Sequence, residues 1–438
     1  MHRLKSALKW LYPGMRVKRW LLLTPVGVLL VIVGVTLLTN MRIVDYLDAA
    51  ARFSVIKAHL DLSQPGVYAP IAVMAIALGL VLIFISFRQV IGSIASVISP
   101  SHKDRLADVI YQRRYLAQGH RMVVIGGGTG LSTMLRGLKE FTSNLVAVVT
   151  VTDDGGSSGV LQRSHGVLPP GDIRNCLVAL ADEESLMIEL FQHRFDDAGE
   201  GLSGHSIGNL LIAAMMDITG DFEQAVKETS KVLAIRGRVL PSTIQNVAIQ
   251  AVMKDGSVVE GETNITGSPE PVHRISLVPG DVKPLQETLD AISLADAIVI
   301  GPGSIFTSIV PNLLVEGVVN AIVASPAVKI YVCNVMTQPG ETDGFKASDH
   351  VRAITDHAGR RLSTYVLVNK EVPSLRLLDK YRQQGAELVV PDVDAIREMG
   401  YKPITGNFIS QTDVVRHDHE KLAQAILRLV FEKSFIPR

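Results

Sequence analysis

Short glycine-rich and acidic motifs carry the residues that could do chemistry, and the first follows the apolar run MVVI. It comprises Gly127, Gly128, Thr129 and Gly130. Glycines at a strand-to-helix turn let backbone N–H groups approach a phosphate, although a tight structural turn has the same composition. The dinucleotide fingerprint is incomplete, because its last glycine falls at Leu131, and no Gly-Lys-Ser/Thr completes a Walker pattern. The motif therefore predicts phosphate or nucleotide binding of a non-standard kind.

The second motif, TDDGGSSG over 152–159, ends the next apolar run and supplies Asp153, Asp154, Ser157 and Ser158. An acid at this position of a Rossmann-like unit binds a ribose hydroxyl, whereas two adjacent acids could hold Mg²⁺ together with substrate phosphates. The glycines and serines could form an anion-binding nest. The alternative is an Asx-rich surface turn.

A third motif, PPGDIRNC over 169–176, places Asp172 and Arg174 at a rigid turn, with Arg163 a little upstream. Either arginine could clamp a phosphate bidentately, and Asp172 could serve as helix cap, metal ligand or base. The simpler interpretation is a capping cluster.

Three further polar segments complete the set. GHSIGNLL holds His205, which we interpret as a structural hydrogen bonder, and Asn209, a better candidate for a base or sugar contact. GPGSIFTS supplies Gly303, Ser304 and Phe306, and NVMTQPGET supplies Asn334 and Thr337. No Cys or second His gives His205 the spacing of a zinc site.

The elements that position these motifs are typical of an α/β protein. Continuous apolar strands alternate with amphipathic segments, which predicts a mostly parallel, Rossmann-like sheet covered on both faces. Val247–Val278 alternates around Asp255-Gly256 and predicts an antiparallel hairpin insertion, and the segment 417–433 predicts a covering helix. Because each polar motif follows a strand, we expect all of them at the carboxyl edge of the sheet, where open α/β folds bind ligands.

The N-terminal part has a different composition. Trp20–Leu38 and Ala69–Phe87 are each 19 residues long without a charge, which predicts two transmembrane helices. Six basic residues precede the first span and six follow the second, against three in the loop, so we expect both termini in the cytoplasm. The predicted organisation is a membrane anchor over 1–90, a juxtamembrane linker over 91–120 and a cytoplasmic domain over 121–438.

Overall composition excludes several classes of protein. A hydrophobic fraction of 47% excludes a disordered chain, and the 43 basic and 43 acidic residues argue against a nucleic-acid-binding surface. Two cysteines, Cys176 and Cys333, cannot form a disulfide framework and suit a reducing compartment.

Six motifs taken together resemble the gluconeogenesis factor family, the YvcK-like proteins related to 2-phospho-L-lactate transferases. They are GGGTGLS, TDDGGSSG, PPGDIRNCL, GHSIGNLL, GPGSIFTSIVPNLL and CNVMTQPGETDG, in this order over 121–438. The resemblance implies a Rossmann-like fold, binding of a UDP-sugar such as UDP-N-acetylglucosamine, and support of cell shape and wall synthesis on gluconeogenic carbon sources. It implies a regulatory protein with no established reaction, so no residue is assigned a catalytic role.

The resemblance also implies roles for residues. Gly126–Gly130 and Gly301–Ser304 would cradle the diphosphate, with Asp153, Asp154, Asn209 and Asn334 as hydroxyl or base contacts. Mg²⁺ is the only cofactor suggested, with Asp154 and Asp172 as its ligands. Phe306 stands where many members have Tyr, so its ring could still stack on a base or sugar while a hydroxyl contact would be lost.

Four functions follow from these expectations. The first is a membrane-anchored UDP-sugar sensor with cell-wall synthesis proteins as partners, and the second is a Mg²⁺-dependent transferase of the 2-phospho-L-lactate type. An NAD-dependent oxidoreductase rests only on the incomplete fingerprint, and a structural scaffold is the fourth. Whether the chain forms a homo-oligomer is left open.

Overall fold

The computed structural model describes residues 18–39, 65–98, 114–182, 186–195, 202–411 and 414–434. They belong to two compact units, one within Met1–Gln112 and the other within Arg113–Arg438. The boundaries at 90 and 120 stay predictions. Residues 91–98 of the predicted linker are helical, because the apolar sequence IGSIASVI continues the preceding helix without a break.

The N-terminal unit contains two apolar helices, α1 (Lys18–Thr39) and α2 (Pro65–Ile98). One segment, Ala69–Ser93, is long and apolar enough to cross a membrane, whereas the apolar part of α1, Leu22–Leu38, is shorter than a full span. The two predicted transmembrane helices are therefore present as apolar helices, and their role as spans stays a prediction.

Glycines set the packing of α1 on α2. A Cβ atom on Gly27 would lie 2.8 Å from the carbonyl oxygen of Gly79, and one on Gly34 would lie 2.7 Å from the carbonyl oxygen of Ala72. The pairing of 27 with 79 and of 34 with 72 makes the helices antiparallel, with their backbones in contact. Ser86 closes the pair through hydroxyl hydrogen bonds to Thr24 (2.7 Å) and to the carbonyl of Trp20 (2.5 Å).

A seven-stranded, entirely parallel sheet forms the centre of the second unit, in the order β10-β9-β8-β7-β1-β2-β3. Its strands are β1 (Met122–Gly126), β2 (Leu145–Val149), β3 (Arg238–Pro241), β7 (Ala297–Ile300), β8 (Val328–Val332), β9 (Tyr365–Asn369) and β10 (Lys402–Gly406). The chain builds outward from β1 to β3, returns to the other side of β1 as β7, and builds outward again. The topological switch point lies between β1 and β7, as the Rossmann-like prediction requires.

Helices cover both faces of this sheet. They are α3 (Gly128–Leu138), α4 (Gly156–His165), α5 (Gly171–Leu180), α6 (Leu186–Gln192), α7 (Ile207–Thr219), α8 (Phe222–Val232), α9 (Glu262–Thr266), α10 (Gln286–Leu294), α11 (Val310–Leu314), α12 (Val318–Ala324), α13 (Ala347–Ala358), α14 (Leu375–Gln383), α15 (Val393–Glu398) and α16 (His419–Ser434). Alternate residues of β1 enter two separate cores, Met122 and Val124 on one face and Val123 and Ile125 on the other. Burial on both faces explains why the strands read as continuous apolar runs.

The predicted antiparallel insertion is confirmed and is larger than a hairpin. It is a three-stranded sheet in the order β5-β4-β6, formed by β4 (Ala248–Met253), β5 (Val258–Glu260) and β6 (Val272–Val278). The short helix α9 connects β5 to β6 and faces the carboxyl edge of the large sheet. A two-stranded sheet of β11 (Ile409–Gln411) and β12 (Val415–His417) precedes α16.

Candidate functional site

Two glycine loops meet at the switch point. The first glycine loop, Gly126–Gly130, follows β1, and the second glycine loop, Gly301–Ser304, follows β7. A Cβ atom on Gly130 would lie 2.5 Å from the carbonyl oxygen of Pro302, and one on Gly303 would lie 3.1 Å from the carbonyl oxygen of Gly127. Side chains at these positions would force the loops apart, so glycine is needed here for close approach of two backbones.

Asp172, from the start of α5, lies against the first glycine loop. Its Oδ2 atom would be only 2.4 Å from a Cβ on Gly127, and its carboxylate accepts a hydrogen bond from the backbone N–H of Gly128. Burial and the negative charge of Asp153 raise the pKa of Asp172 to about 6, although the Gly128 hydrogen bond and the charge of Arg174 lower it. The helix N-terminus predicted to bind phosphate is thus already bonded to a carboxylate of the chain.

Asp153 lies beside Asp172, and Glu262 joins them from α9. The Oδ2 atom of Asp153 would lie 3.0 Å from a Cβ on Gly171, the residue before Asp172. Burial, and then the charges of Asp153 and Asp172, raise the pKa of Glu262 to about 8, while a hydrogen bond with Thr307 lowers it. Glu262 was not predicted as a site residue, because it belongs to the insertion, far along the chain from the motifs.

Asp154 points to different partners. Its Oδ1 atom accepts hydrogen bonds from the backbone N–H (3.0 Å) and the hydroxyl (2.7 Å) of Thr263, at the N-terminus of α9. A Cβ on Gly261 would lie 2.2 Å from its Oδ2 atom. Asp154 therefore fastens the insertion to the loop after β2, and Asp153 is the neighbour of Asp172.

The second glycine loop is held by Glu341, another residue that was not predicted. Its carboxylate accepts hydrogen bonds from the hydroxyls of Ser304 and Thr307, the latter at 3.2 Å, and from the backbone N–H of Phe306 at 3.4 Å. The amide of Gln338 donates to it at 3.3 Å. Glu341 is 2% exposed, and this burial raises its pKa while the donors lower it.

Asn334 and Thr337, both predicted as ligand contacts, bond to backbone groups of the chain. Asn334 accepts from the N–H of Gly303 (3.0 Å) and donates to its carbonyl (2.8 Å), so both of its amide atoms hold the loop. Thr337 is 5% exposed, and its hydroxyl accepts a hydrogen bond from the backbone N–H of Glu387 at 2.8 Å. Asn334 therefore supports the shape of the second glycine loop, whereas Thr337 joins its segment to Glu387.

The ring of Phe306 is 2% exposed and packs edge-on against Phe345 and His357, with centroids 6.3 and 5.7 Å away. It lies on the π-helical turn Ile305–Ile309, which follows the second glycine loop. A base or sugar could stack on Phe306 only if this packing opened. The structure therefore favours a core role for the ring over the predicted ligand contact.

A buried hydrogen-bond chain runs beside the acids. The Nη1 atom of Arg174 donates to Oδ1 of Asn209 (3.1 Å), and Nδ2 of Asn209 donates to the hydroxyl of Ser157 (3.0 Å). That hydroxyl lies 2.9 Å from Nδ1 of His205. Asn209 is 1% exposed and both of its amide atoms have partners, so it positions other groups rather than presenting its own amide to a ligand.

The remaining predicted residues differ in accessibility. Thr129 and Arg163 are exposed, and Arg163 makes one long hydrogen bond, 3.4 Å, to the carbonyl of Asp154. Ser158 is buried against Gly171, and Arg174 also donates to Ser206 and Asn175. Of the two arginines, Arg163 is the one free to reach a phosphate.

Comparisons with known proteins identify the family of this chain. The family model of 2-phospho-L-lactate transferase CofD matches residues 122–409. A gluconeogenesis factor from Bacillus subtilis is 47% identical over 318 residues, which cover 72% of this chain and 100% of the relative. A Nostoc protein of the same family name is 46% identical over 430 residues, which cover 98% of this chain and 93% of the relative. The chain belongs to the gluconeogenesis factor family.

A solved structure shows which part of the chain this family shares. The crystal structure of a UPF0052 family protein from Bacillus halodurans is 49% identical, covers 70% of this chain and 99% of that chain, and gives a TM-score of 0.68. In that relative the globular unit is almost the whole chain, so the unit folds there without a helical hairpin. Members of the gluconeogenesis factor family thus match this chain either over the CofD-type domain or over nearly its full length.

The acids at the site can be tested against Mg²⁺, the cofactor expected from the resemblance to the related transferases. Among the described residues, no three His, Cys, Asp or Glu side chains are arranged to hold one metal ion. Asp153 and Asp172 supply two neighbouring carboxylates, and burial together with the charge of Asp153 raises the pKa of Asp172, although Arg174 partly offsets this. Mg²⁺ is commonly bound by one or two carboxylates plus substrate phosphates and water, so this donor set fits it.

Proposed function

We propose that residues 113–438 form a UDP-sugar-binding domain, with UDP-N-acetylglucosamine as its first candidate ligand, and that the protein regulates cell shape and wall synthesis. The observation that carries the proposal is the contact between the two glycine loops at the switch point, where Gly130 meets Pro302. In open α/β sheets, phosphorylated ligands bind in the crevice at this point. Asn334 and Glu341 hold the second glycine loop in place before a ligand arrives, which lowers the entropic cost of binding.

Acids beside the loops imply that the diphosphate binds together with Mg²⁺. Asp153 and Asp172 would hold the cation, which supplies the positive charge that a diphosphate needs next to two carboxylates. Arg163, exposed at the same edge, would contact a phosphate oxygen. Asp154 would keep its contact with Thr263.

Isothermal titration calorimetry with UDP-N-acetylglucosamine tests this proposal. The globular unit is suitable because the solved relative consists of it almost entirely. We expect Mg²⁺-dependent binding in the wild type, its loss in Asp153→Asn and Asp172→Asn, and its retention in Asp154→Asn. If the wild type binds no UDP-sugar, the proposed function is wrong. If Asp154→Asn and Asp172→Asn lose binding while Asp153→Asn retains it, the cation ligands are those predicted from the sequence.

A Mg²⁺-dependent transferase is the second candidate, and Glu262 is the observation that favours it. With a pKa of about 8 this carboxyl group holds a proton at neutral pH beside Asp153 and Asp172, as general acids in active sites do. A transferase would convert a phosphate-linked donor in the presence of Mg²⁺, which ³¹P NMR detects as a new phosphorus signal. We expect Glu262→Gln to abolish that signal; no turnover in the wild type contradicts catalysis.

We propose further that α1 and α2 both cross the cell membrane, with both termini in the cytoplasm. Together they form an apolar pair, and the basic residues lie outside their connecting loop. Lys57→Cys, in that loop, should react with a membrane-impermeant maleimide in intact cells, and Lys103→Cys should react only after lysis. Labelling of both or neither in intact cells contradicts this topology.

A further inference from the structure

His205 belongs to the hydrogen-bond chain beside the acids, yet one side of its ring has no partner. The side chain is 7% exposed, and its Nδ1 atom bonds to Ser157. Nε2 has no hydrogen-bond partner within the described ranges, and it is not among their buried unpaired atoms. This atom therefore keeps some solvent-accessible surface although the side chain is buried.

The hydrogen-bond chain from Arg174 to His205 fixes which ring nitrogen of His205 carries the proton. Arg174 can only donate, so the Asn209 atom that faces it is the carbonyl oxygen, and the amide nitrogen of Asn209 must face Ser157. Ser157 then accepts from Asn209, and its own hydrogen has no acceptor other than Nδ1 of His205 in the part of the chain that the structure describes. A buried hydroxyl that donated to nothing would cost free energy. Nδ1 is therefore an acceptor, and the proton of the neutral ring lies on Nε2.

The position of Ser157 places this donor at the ligand edge. Ser157 lies in the first turn of α4, directly after the acidic loop that follows β2. Its neighbour Ser158 contacts Gly171, which precedes Asp172. A ring bonded to Ser157 thus lies at the same edge of the sheet as Asp153 and Asp172.

We propose that His205 is a ligand-recognition residue, whose Nε2–H donates a hydrogen bond to a phosphoryl oxygen of the ligand bound at this edge. The proposal rests on the function proposed above. A phosphoryl oxygen is the favoured acceptor because it is anionic, and the chain leads back to the positive guanidinium of Arg174, which polarises each donor toward it. Ser157, Asn209 and Arg174 act as positioning residues, since each sets the orientation of the next.

Two substitutions test the roles of Nδ1 and Nε2 of His205 separately. His205→Asn keeps an acceptor near Nδ1 for Ser157 and removes the donor at Nε2. His205→Gln places an amide nitrogen near the Nε2 position and loses the bond to Ser157. His165→Asn, at an exposed histidine at the end of α4, serves as the matched control.

Calorimetry with UDP and with UDP-N-acetylglucosamine then tests the role. We expect His205→Asn to weaken both ligands by about 10- to 100-fold, the loss of a hydrogen bond to a charged group, and His165→Asn to leave both unchanged. His205→Gln should retain more affinity than His205→Asn. Equal affinity in His205→Asn and wild type, or weakening of the sugar nucleotide alone, overturns the assignment.

Nitrogen NMR of the ¹⁵N-histidine-labelled protein tests the tautomer without any ligand. We expect Nδ1 of His205 to be unprotonated, its Nε2 proton to shift on addition of UDP, and the tautomer to be lost in Ser157→Ala. A proton on Nδ1 of the wild type contradicts the inference whatever binds. If wild type and variants alike bind neither nucleotide, the proposed function fails and the recognition role with it.

Discussion

The first and second glycine loops occupy equivalent positions, one after β1 and one after β7, and each leads into a helical segment. In both, a carboxylate of the chain bonds to the start of that segment: Asp172 to the N–H of Gly128, and Glu341 to the N–H of Phe306. A negative charge at a helix N-terminus is favourable in either place. The two carboxylates are nevertheless in different environments.

Glu341 is 2% exposed and has four donors, whereas Asp172 has one backbone donor and stands near both another acid and the guanidinium of Arg174. At the second glycine loop, the hydrogen bonds of Glu341 are complete without a ligand. At the first glycine loop, Asp172 is ionised only at a cost from burial and from the charge of Asp153, which Arg174 offsets in part, so a cation would stabilise its ionised form. The comparison indicates that the second glycine loop is fixed by the chain itself. The first glycine loop is the one that a bound ligand would stabilise.

Removal of Glu341 should give the largest effect on stability. Glu341→Ala leaves two hydroxyls and a backbone N–H without their acceptor, which we expect to lower the free energy of unfolding by about 3 kcal/mol or more. Asp343→Ala, at an exposed acid two residues on, should cost under about 1 kcal/mol. Urea denaturation of the globular unit measures both. Equal midpoints for the two variants would show that Glu341 is not a structural support.

Neutralising Asp172 should act in the opposite direction. Its pKa of about 6, against an ordinary 3.8, means that the folded state holds this proton more tightly, so stability is lost as pH rises through this range. Asp172→Asn should therefore raise the free energy of unfolding by about 2 to 3 kcal/mol at pH 8 and leave it unchanged near pH 3. A variant that is less stable than wild type at pH 8 contradicts the difference between the loops.

Mg²⁺ should stabilise only the first loop. At a concentration 100 times its dissociation constant, a ligand that binds only the folded state adds about 2.7 kcal/mol to the free energy of unfolding. We expect an increase of this order in the wild type at pH 8, none in Asp172→Asn, and less at pH 5, where Asp172 is largely protonated. Calorimetric melting curves check this, and an equal increase in Asp172→Asn assigns the cation to another place.

The smallest effect concerns the contact between Gly127 and Asp172. Gly127 has an extended backbone that any residue adopts, so Gly127→Ala is disfavoured only by its contacts, above all the 2.4 Å approach to Oδ2 of Asp172. We expect a cost of about 1 to 2 kcal/mol. In an Asp172→Ala background the cost should decrease, which a double-mutant cycle measures. Additive effects would mean that the two residues do not act on each other.

Much of the fold could be predicted from the sequence, because buried parallel strands leave continuous apolar runs such as MVVI, and the glycine loops mark where they end. Strand bounds were less predictable, and β3, β9 and β10 were missed because none of the six polar motifs follows them. At the site, spacing identified Asp153 and Asp172 as candidates. It could not show that Asp154 turns to Thr263, that Phe306 enters the core, or that Glu262 arrives from the insertion. Those outcomes depend on contacts between residues distant in sequence.

The contact between Thr24 and Ser86 has a consequence for how the hairpin tolerates an apolar medium. A hydroxyl that faces hydrocarbon alone carries a desolvation penalty, and each helix has one such group near the level of the other. Paired across the interface, with Ser86 also bonded to the carbonyl of Trp20, the two hydroxyls satisfy each other. Each helix thus lowers the free-energy cost of transferring its neighbour into lipid. The helix pair should therefore enter a lipid phase more favourably than the hydropathy of α1 or α2 alone indicates.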